Sequence, residues 1–284
     1  DRIKRTKMPE LPEVETVCLA LSKILDNSRV SDIEIFRKDL RWDVKENLEK
    51  DLKEKILKKP YRRGKYILIP TSKKYILLIH LGMSGTIKIA SKEYNLSKHD
   101  HVKINVENKE NKFFSIVYND PRRFGYVDFF HIKDIEKHFL LKKLGVEPFG
   151  TNFTVKYLQK KIYKKSRSIK NFIMDQSIIA GIGNIYASEI LHKASINPLR
   201  TVDSLKKEHL KSIIDATKYI LKKSISVGGT TIRNHLQPDG KLGYFSQKLQ
   251  VYGKNKHNCN KCDNLITSIN ISNRSTYFCS NCQR

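Results

Sequence analysis

Apolar residues recur with two different periods along this chain of 284 residues, and the switch between them divides it. Between Pro12 and Leu25, the residues Val14, Val17, Cys18, Leu21, Ile24 and Leu25 repeat at the spacing of a helix that buries one face. Cys18 falls on that face and is read as a core residue. The period then shortens. Runs rich in Ile, Val, Tyr and Phe occupy 30–36, 66–70, 75–81, 86–90, 102–106, 113–118 and 125–130, separated by Gly, Asn, Asp, Ser or Lys. Many short strands at this spacing predict an antiparallel sandwich or barrel.

Near Leu144-Gly145-Val146-Glu147-Pro148 the pattern changes again, and helices are expected over 155–163, 169–173, 185–192 and 204–224. In the last, Leu205, Leu210, Ile213, Ile214, Ile220 and Leu221 trace an apolar face, and Ser204 stands where an N-cap would. Ala180-Gly181-Ile182-Gly183-Asn184 lies between the second and third of these helices. Its glycines permit a tight turn whose amides lead into the next helix, which suits a phosphate site and a plain helix-to-helix turn equally. Residues 226–247 have no period and read as a long loop, the kind that often serves as a lid. There is no internal repeat, and the class is α+β with more than one domain.

Charge narrows the partners. Fifty-five basic against 29 acidic residues give +26, which favours a polyanion, nucleic acid before an anionic membrane surface. Part of that lysine content is a compositional bias toward Lys, Asn and Ile. No apolar run approaches the length of a membrane span, and no secretory signal is visible.

Four of the five cysteines form two C-x-x-C units, Cys259/Cys262 and Cys279/Cys282, sixteen residues apart. Two such knuckles offer four sulfurs to a closed tetrahedral zinc site, which is structural and not catalytic. That pattern argues for metal in a reducing compartment and against a disulfide scaffold. The intervening segment 267–278 fits a β-hairpin with Arg274 near its turn. A four-cysteine ribbon in so basic a protein points to a nucleic-acid-binding module, with a merely stabilising metal knot as the alternative.

The stretch Met8-Pro9-Glu10-Leu11-Pro12-Glu13-Val14-Glu15 reads in two ways. As a helix start, Pro12 suits the first helical position and the acids suit the first turn. As a catalytic terminus, removal of Met8 would make Pro9 a secondary amine of low pKa, able to attack a sugar aldehyde carbon. Residues 1–7, DRIKRTK, are read as a leader outside the mature enzyme.

A series of separate stretches, from Met8 to the end, resembles one family. They are MPELPEVETV at 8–17, RRGKY at 62–66, HLGMSG at 80–85, KHDHV at 98–102, DPRRFG at 120–125, MDQ at 174–176, GIGNIYASEIL at 181–191, GGTT at 228–231, DGKLGYF at 239–245, LQVYG at 249–253 and the zinc ribbon. Together they resemble the formamidopyrimidine-DNA glycosylases, bacterial base-excision enzymes for oxidised purines.

The resemblance implies an N-terminal catalytic β-sandwich domain over 8–143, a helix–two-turn–helix domain with a lesion-covering loop over 144–248, and a zinc ribbon over 249–284. It implies Pro9 as the nucleophile at C1′, Glu10 as the acid/base residue, Glu13 as its support, Lys65 at the flanking phosphates and the elimination, and Arg274 at the second elimination step and the phosphate clamp. Met83 and Phe124 resemble wedge residues, and Arg122 the arginine that faces the widowed cytosine. Phosphate contacts are implied at His99, Lys165 and Asn184. Lys170 is implied near the lesion pocket, which 230–244 would cover. One structural zinc and no organic cofactor are expected. The implied partner is double-stranded DNA with oxidised bases or abasic sites, met by a monomeric, cytoplasmic, nucleoid-associated protein without a membrane partner or organellar targeting. Two alternatives stand beside this: an endonuclease VIII-type glycosylase for oxidised pyrimidines, and a non-enzymatic lesion-DNA-binding protein if Pro9 never becomes the free terminus.

Overall fold

The computed structural model describes residues 8–91, 94–163, 166–229 and 248–284. The expected leader, Lys165 and the 230–244 loop lie outside the described residues. The described chain forms two compact units, 8–142 with 227–229, and 143–226 with 248–284.

In the first unit the chain runs α1 (Leu11–Leu25), β1 (Arg29–Ile35), α2 (Leu48–Leu52), β2 (Tyr61–Arg63), β3 (Tyr66–Pro70), β4 (Tyr75–His80), β5 (Thr86–Ser91), β6 (Asp100–Glu107), β7 (Phe113–Asn119) and β8 (Tyr126–His131). Two four-stranded sheets result, ordered β1-β6-β7-β5 and β2-β3-β4-β8, and every pair is antiparallel. The expected sandwich is therefore present. One core unites Val14, Val17, Cys18 and Leu21 of α1, Ile104 and Ile116 of the first sheet, and Ile67, Leu77 and Ile79 of the second. Burial pushes the Cys18 thiol well above its ordinary range, as a core thiol requires. Alternation fails in β4, where Ile76, Leu77, Leu78 and Ile79 are all buried, so this strand is covered on both faces.

Two elements of this unit carry no apolar period. α2 is five residues long, too short for one. β2 is Tyr-Arg-Arg, a strand because Arg62 pairs with Ile67 across the sheet and binds Glu15 of α1 at 2.7 Å. Pro12 stands at the second helical position, not the first, since Leu11 begins α1. A first-turn amide has no helical partner, so proline costs nothing there.

The second unit holds α3 (Val155–Ile162), α4 (Ile169–Met174), α5 (Asn184–Lys193), α6 (Lys207–Ser226) and the hairpin β9 (Thr267–Ile271) and β10 (Arg274–Phe278). Thr154 caps α3 and Ser168 caps α4, each hydroxyl accepting an amide of the first turn. Ser204 does not cap α6. It closes a single 3-10 turn and donates to the Thr201 carbonyl, and α6 starts three residues later, where His209 Nδ1 accepts the Lys206 amide at 3.0 Å. α5 is buried over most of its length because α6, α4 and the ribbon all pack on it, and Glu189 accepts the amides of Gln250, Val251 and Tyr252 at 2.8–2.9 Å.

Candidate functional site

In the first unit, the helix start of α1 and the two arginine-bearing turns supply the candidate chemistry. Pro9 is buried immediately before α1, and Glu10 and Glu13 are 3 % and 2 % exposed. They form a capping box, in which Glu13 Oε2 accepts the Glu10 amide at 3.0 Å. Two carboxylates are thus fixed within one turn of the Pro9 nitrogen, at the positive end of the helix dipole. Gly229 (φ +78°) closes on the same spot, for a Cβ there would stand 3.0 Å from Glu13 Oε1. The glycine pair Gly228-Gly229 therefore brings the start of the GGTT stretch against the carboxylate at the head of α1.

Lys65 follows Gly64 (φ +58°) in the two-residue turn of the β2–β3 hairpin. The Arg62–Glu15 ion pair pins that hairpin to α1. Lys65 is buried, and its positive charge reaches His80. Burial first, then Lys65 and Arg41, push the His80 imidazole down to about 4, so it is neutral at pH 7. The Nδ1 of His80 is buried without a hydrogen-bond partner.

Met83, Arg122 and Phe124, predicted as wedge and cytosine-facing residues, line one cleft of about 680 Å³ together with Met8, His80 and Arg123. The Arg122 guanidinium lies over the Phe124 ring at 4.7 Å, and Phe124 is 40 % exposed. Arg123 (φ +58°) is paired with Asp39 at 2.8 Å. His99 sits in a left-handed turn at φ +74°. Asp100 builds that turn by accepting from the Ser97 amide at 2.7 Å, Asn119 Nδ2 at 2.7 Å and Lys88 Nζ at 3.2 Å. Ser84 and Asp120, which tie these turns together, lie inside the HLGMSG and DPRRFG stretches, but nothing in their residue type marks them.

In the second unit, the Gly181–Asn184 turn is braced by Gln176, whose amide donates to the Ile182 carbonyl at 2.7 Å and accepts the Gly181 amide at 2.8 Å. Asn184 opens α5 and donates to the Ser275 carbonyl at 2.9 Å, with its Oδ1 buried and unpaired. Arg274 is exposed and begins β10 just after the turn residues Ser272 and Asn273, both at positive φ. Such mirror-image turns join hairpins tightly, as the hairpin prediction requires. Lys170, by contrast, is 1 % exposed, and its ammonium bonds Thr276 Oγ1. Its charge thus acts from beneath the hairpin that carries Arg274.

The four predicted cysteines come together, their sulfurs all within 4.8 Å of one another. Cys259 and Cys282 are 3.8 Å apart and Cys262 and Cys279 3.5 Å. A tetrahedron with Zn–S of about 2.3 Å has edges of about 3.8 Å, so this donor set fits zinc. The Lys261 amide points at Cys259 Sγ at 3.4 Å, the inward-turned amide of a metal knuckle. Without a cation the crowded thiols resist ionising together. The hydrogen bond with Cys262, reinforced by burial, pushes Cys282 up to about 12. A dication removes that obstacle.

Comparison with known proteins matches three family models in order along the chain. The formamidopyrimidine-DNA glycosylase N-terminal domain matches residues 8–127, the formamidopyrimidine-DNA glycosylase H2TH domain 144–235, and the zinc finger found in FPG and IleRS 257–284. The formamidopyrimidine-DNA glycosylase of Haemophilus influenzae is 41 % identical over 277 residues, 98 % of this chain and 99 % of that protein. That of Rickettsia conorii is 40 % identical over 97 % of this chain and 99 % of its own length. Among solved structures, a Lactococcus lactis FPG variant bound to Fapy-dG containing DNA superposes with a TM-score of 0.89 at 32 % identity, covering 97 % of this chain and 100 % of that one. Lactococcus lactis Fpg with an abasic site containing DNA gives 0.88 at 32 % identity, covering 97 % and 99 %. No helix among the described residues is long and apolar enough to cross a membrane.

Proposed function

The chain belongs to the formamidopyrimidine-DNA glycosylase family, and from that premise we propose that it removes 8-oxoguanine opposite cytosine and formamidopyrimidines from DNA, then cleaves the abasic site as a lyase. The observation that carries the reading is the head of α1, where buried Glu10 and Glu13 directly follow Pro9.

In the proposed chemistry a free Pro9 amine attacks C1′ of the damaged nucleotide. The N–C1′ bond forms as the glycosidic bond breaks, and the base departs with that electron pair and a proton. Glu10 protonates the opening sugar ring and the lone pair on Pro9 completes an iminium. Loss of a C2′ proton expels the 3′ phosphate, and loss of a C4′ proton then expels the 5′ phosphate. Water hydrolyses the iminium, restores the amine and leaves a one-nucleoside gap. Lys65 and Arg274 serve the elimination steps and hold flanking phosphates, and Glu13 holds Glu10 in place. All of this requires peptide bond 8–9 to be absent in the active enzyme, because an amide nitrogen has no lone pair to offer.

Excision requires an extrahelical base. Met83 and Phe124 fill the vacated stack and Arg122 meets the orphaned cytosine. The solved relatives bound to Fapy-dG and abasic-site DNA support this class of partner. His99, Asn184 and Lys165 contact phosphates, which suits the excess of positive charge. Lys170 supports the hairpin next to the lesion pocket. One zinc held by Cys259, Cys262, Cys279 and Cys282 keeps the ribbon folded and takes no part in the reaction, and the protein acts as a monomer.

Borohydride trapping on an 8-oxoguanine–cytosine duplex, with intact-mass analysis of the amino terminus, tests the reading. A covalent adduct on protein that begins at Pro9 is expected. Trapping by protein that keeps residues 1–8 refutes Pro9 as nucleophile. Exclusive activity on thymine glycol replaces the purine assignment with the pyrimidine one, and no trapping with a free Pro9 leaves a binding protein.

A further inference from the structure

We propose that Ser84 is a positioning residue that locks the Met83 turn to the 122–124 loop, with Asp120 as the buried anchor beneath both. The inference rests on the reading of Met83, Arg122 and Phe124 as fillers of the vacated stack.

One hydroxyl joins the two segments through side-chain hydrogen bonds. Ser84 Oγ donates to Asp120 Oδ1 and accepts the Arg122 amide at 3.1 Å. A serine hydroxyl has one proton and spare lone pairs, and both kinds of bond are used here, each joining the Met83 turn to the 120–125 segment. Asp120 is fully buried, and its other oxygen accepts Tyr118 Oη at 3.0 Å and the Gly125 amide at 2.8 Å. Its carbonyl accepts the Arg123 amide at 3.2 Å and meets His101 Nε2 at 2.7 Å. The carboxylate thus fixes both ends of the loop that carries Arg122 and Phe124, and Ser84 extends the same network into the turn that carries Met83.

Backbone packing leaves little other freedom. A Cβ on Gly82 (φ +61°) would stand 2.4 Å from the Phe124 carbonyl carbon, so the turn and the loop touch main chain to main chain. The Ser84 hydroxyl adds a side-chain tie beside that main-chain contact, to the Asp120 carboxylate and the Arg122 amide. Inserting side chains into a base stack costs unstacking energy. Segments already held in one register spend none of the insertion on ordering themselves, and the gain is lost when the support is loosened.

Wild-type, S84A, S84T, M83A and R122A proteins, each beginning at Pro9, separate the possibilities. Single-turnover excision is measured on 8-oxoguanine opposite cytosine and opposite adenine, with 2-aminopurine beside the lesion as a stacking reporter. S84A is expected to excise about tenfold more slowly, to blunt the fluorescence rise, and to move cytosine-over-adenine preference toward that of R122A. Its melting temperature should fall by only about 4–8 °C, as for the two hydrogen bonds the hydroxyl makes. S84T, which keeps the hydroxyl, should restore all three functional readouts. S84A with wild-type rate, fluorescence and discrimination, while M83A or R122A is impaired, overturns the role of Ser84, and so does S84T that stays as impaired as S84A. M83A and R122A that both match wild type overturn the stack-filling reading, and this inference with it.

Discussion

His192, near the end of α5, turns its Nε2 to Cys259 Sγ at 3.6 Å, and Lys261 in the same knuckle reaches back to the His192 carbonyl at 2.9 Å. A metal-bound thiolate can only accept, so the imidazole must donate. Such donation withdraws charge from the sulfur and steadies the ligand. In H192F, zinc transfer to a competing chelator should quicken by about tenfold, and the sulfur-to-metal band of the cobalt-substituted protein should move to longer wavelength. H192Q, which keeps a donor, should lie nearer wild type. An unchanged band and rate in H192F would reduce this contact to packing.

Glu189 is buried against three amides of 250–252 and joins α5 to the chain that enters the ribbon. Burial pushes its carboxyl up, and those amides act in the opposite direction. E189Q replaces one acceptor oxygen by an NH2 that faces a backbone donor. Chemical denaturation followed at the ribbon should show a loss of about 2–3 kcal/mol, the worth of hydrogen bonds to a charged group.

Asp128 gives the first unit an acid limit. Burial pushes its carboxyl up, but hydrogen bonds from His138 at 3.0 Å and Lys45, reinforced by Lys45 charge at 2.9 Å, outweigh it and hold the group at about 2. Its folded pKa lies below the ordinary 3.8, so this stabilisation is present above pH 3.8 and disappears as pH falls toward 2. Between pH 5 and 2 the wild type should lose about 1–2 kcal/mol more than D128N in urea unfolding. Parallel losses in the two proteins would remove Asp128 from the account.

Gly125 is a packing requirement. A Cβ there would meet Tyr118 Oη at 1.7 Å and the His80 carbonyl at 2.5 Å. Tyr118 is held by Asp120 and cannot swing away. G125A should lose about 1–3 kcal/mol from overpacking. It should also impair excision through the displaced 122–124 loop, measured by thermal melting and single-turnover assay. A G125A protein with wild-type melting would mean that the loop yields more readily than its bonding suggests.

Binding should weaken steeply with salt, because each neutralised phosphate releases counterions. Titrating lesion duplex at rising salt checks this, and a flat response would contradict the extended phosphate contacts.

The alternation of Ile104, Val106 and Ile116, and the helical spacing of Val14, Val17 and Leu21, announce a sandwich core without any structure, because periodic burial needs only local geometry. The ribbon is legible for a similar reason: two knuckles bring their sulfurs together over short loops. β2 escapes notice because a three-residue Tyr-Arg-Arg strand is defined by its neighbours, Ile67 and Glu15, and not by itself. Ser204 misleads as a cap because a 3-10 turn takes its hydroxyl first.

The chain by itself determines the order of its domains, the metal-binding sulfurs and the side chains offered for chemistry, since these depend on residue type and on spacing along a few residues. Only the tertiary structure decides which of them act as one. Ser84 and Asp120 are 36 residues apart in sequence yet joined by a hydrogen bond, His192 meets Cys259 across 67 residues, and Lys170 is drawn beneath the hairpin to Thr276 across 106. Hydrogen bonds act over about 3 Å and reward proximity in space. Separation along the chain enters only through the loops and layers that close it.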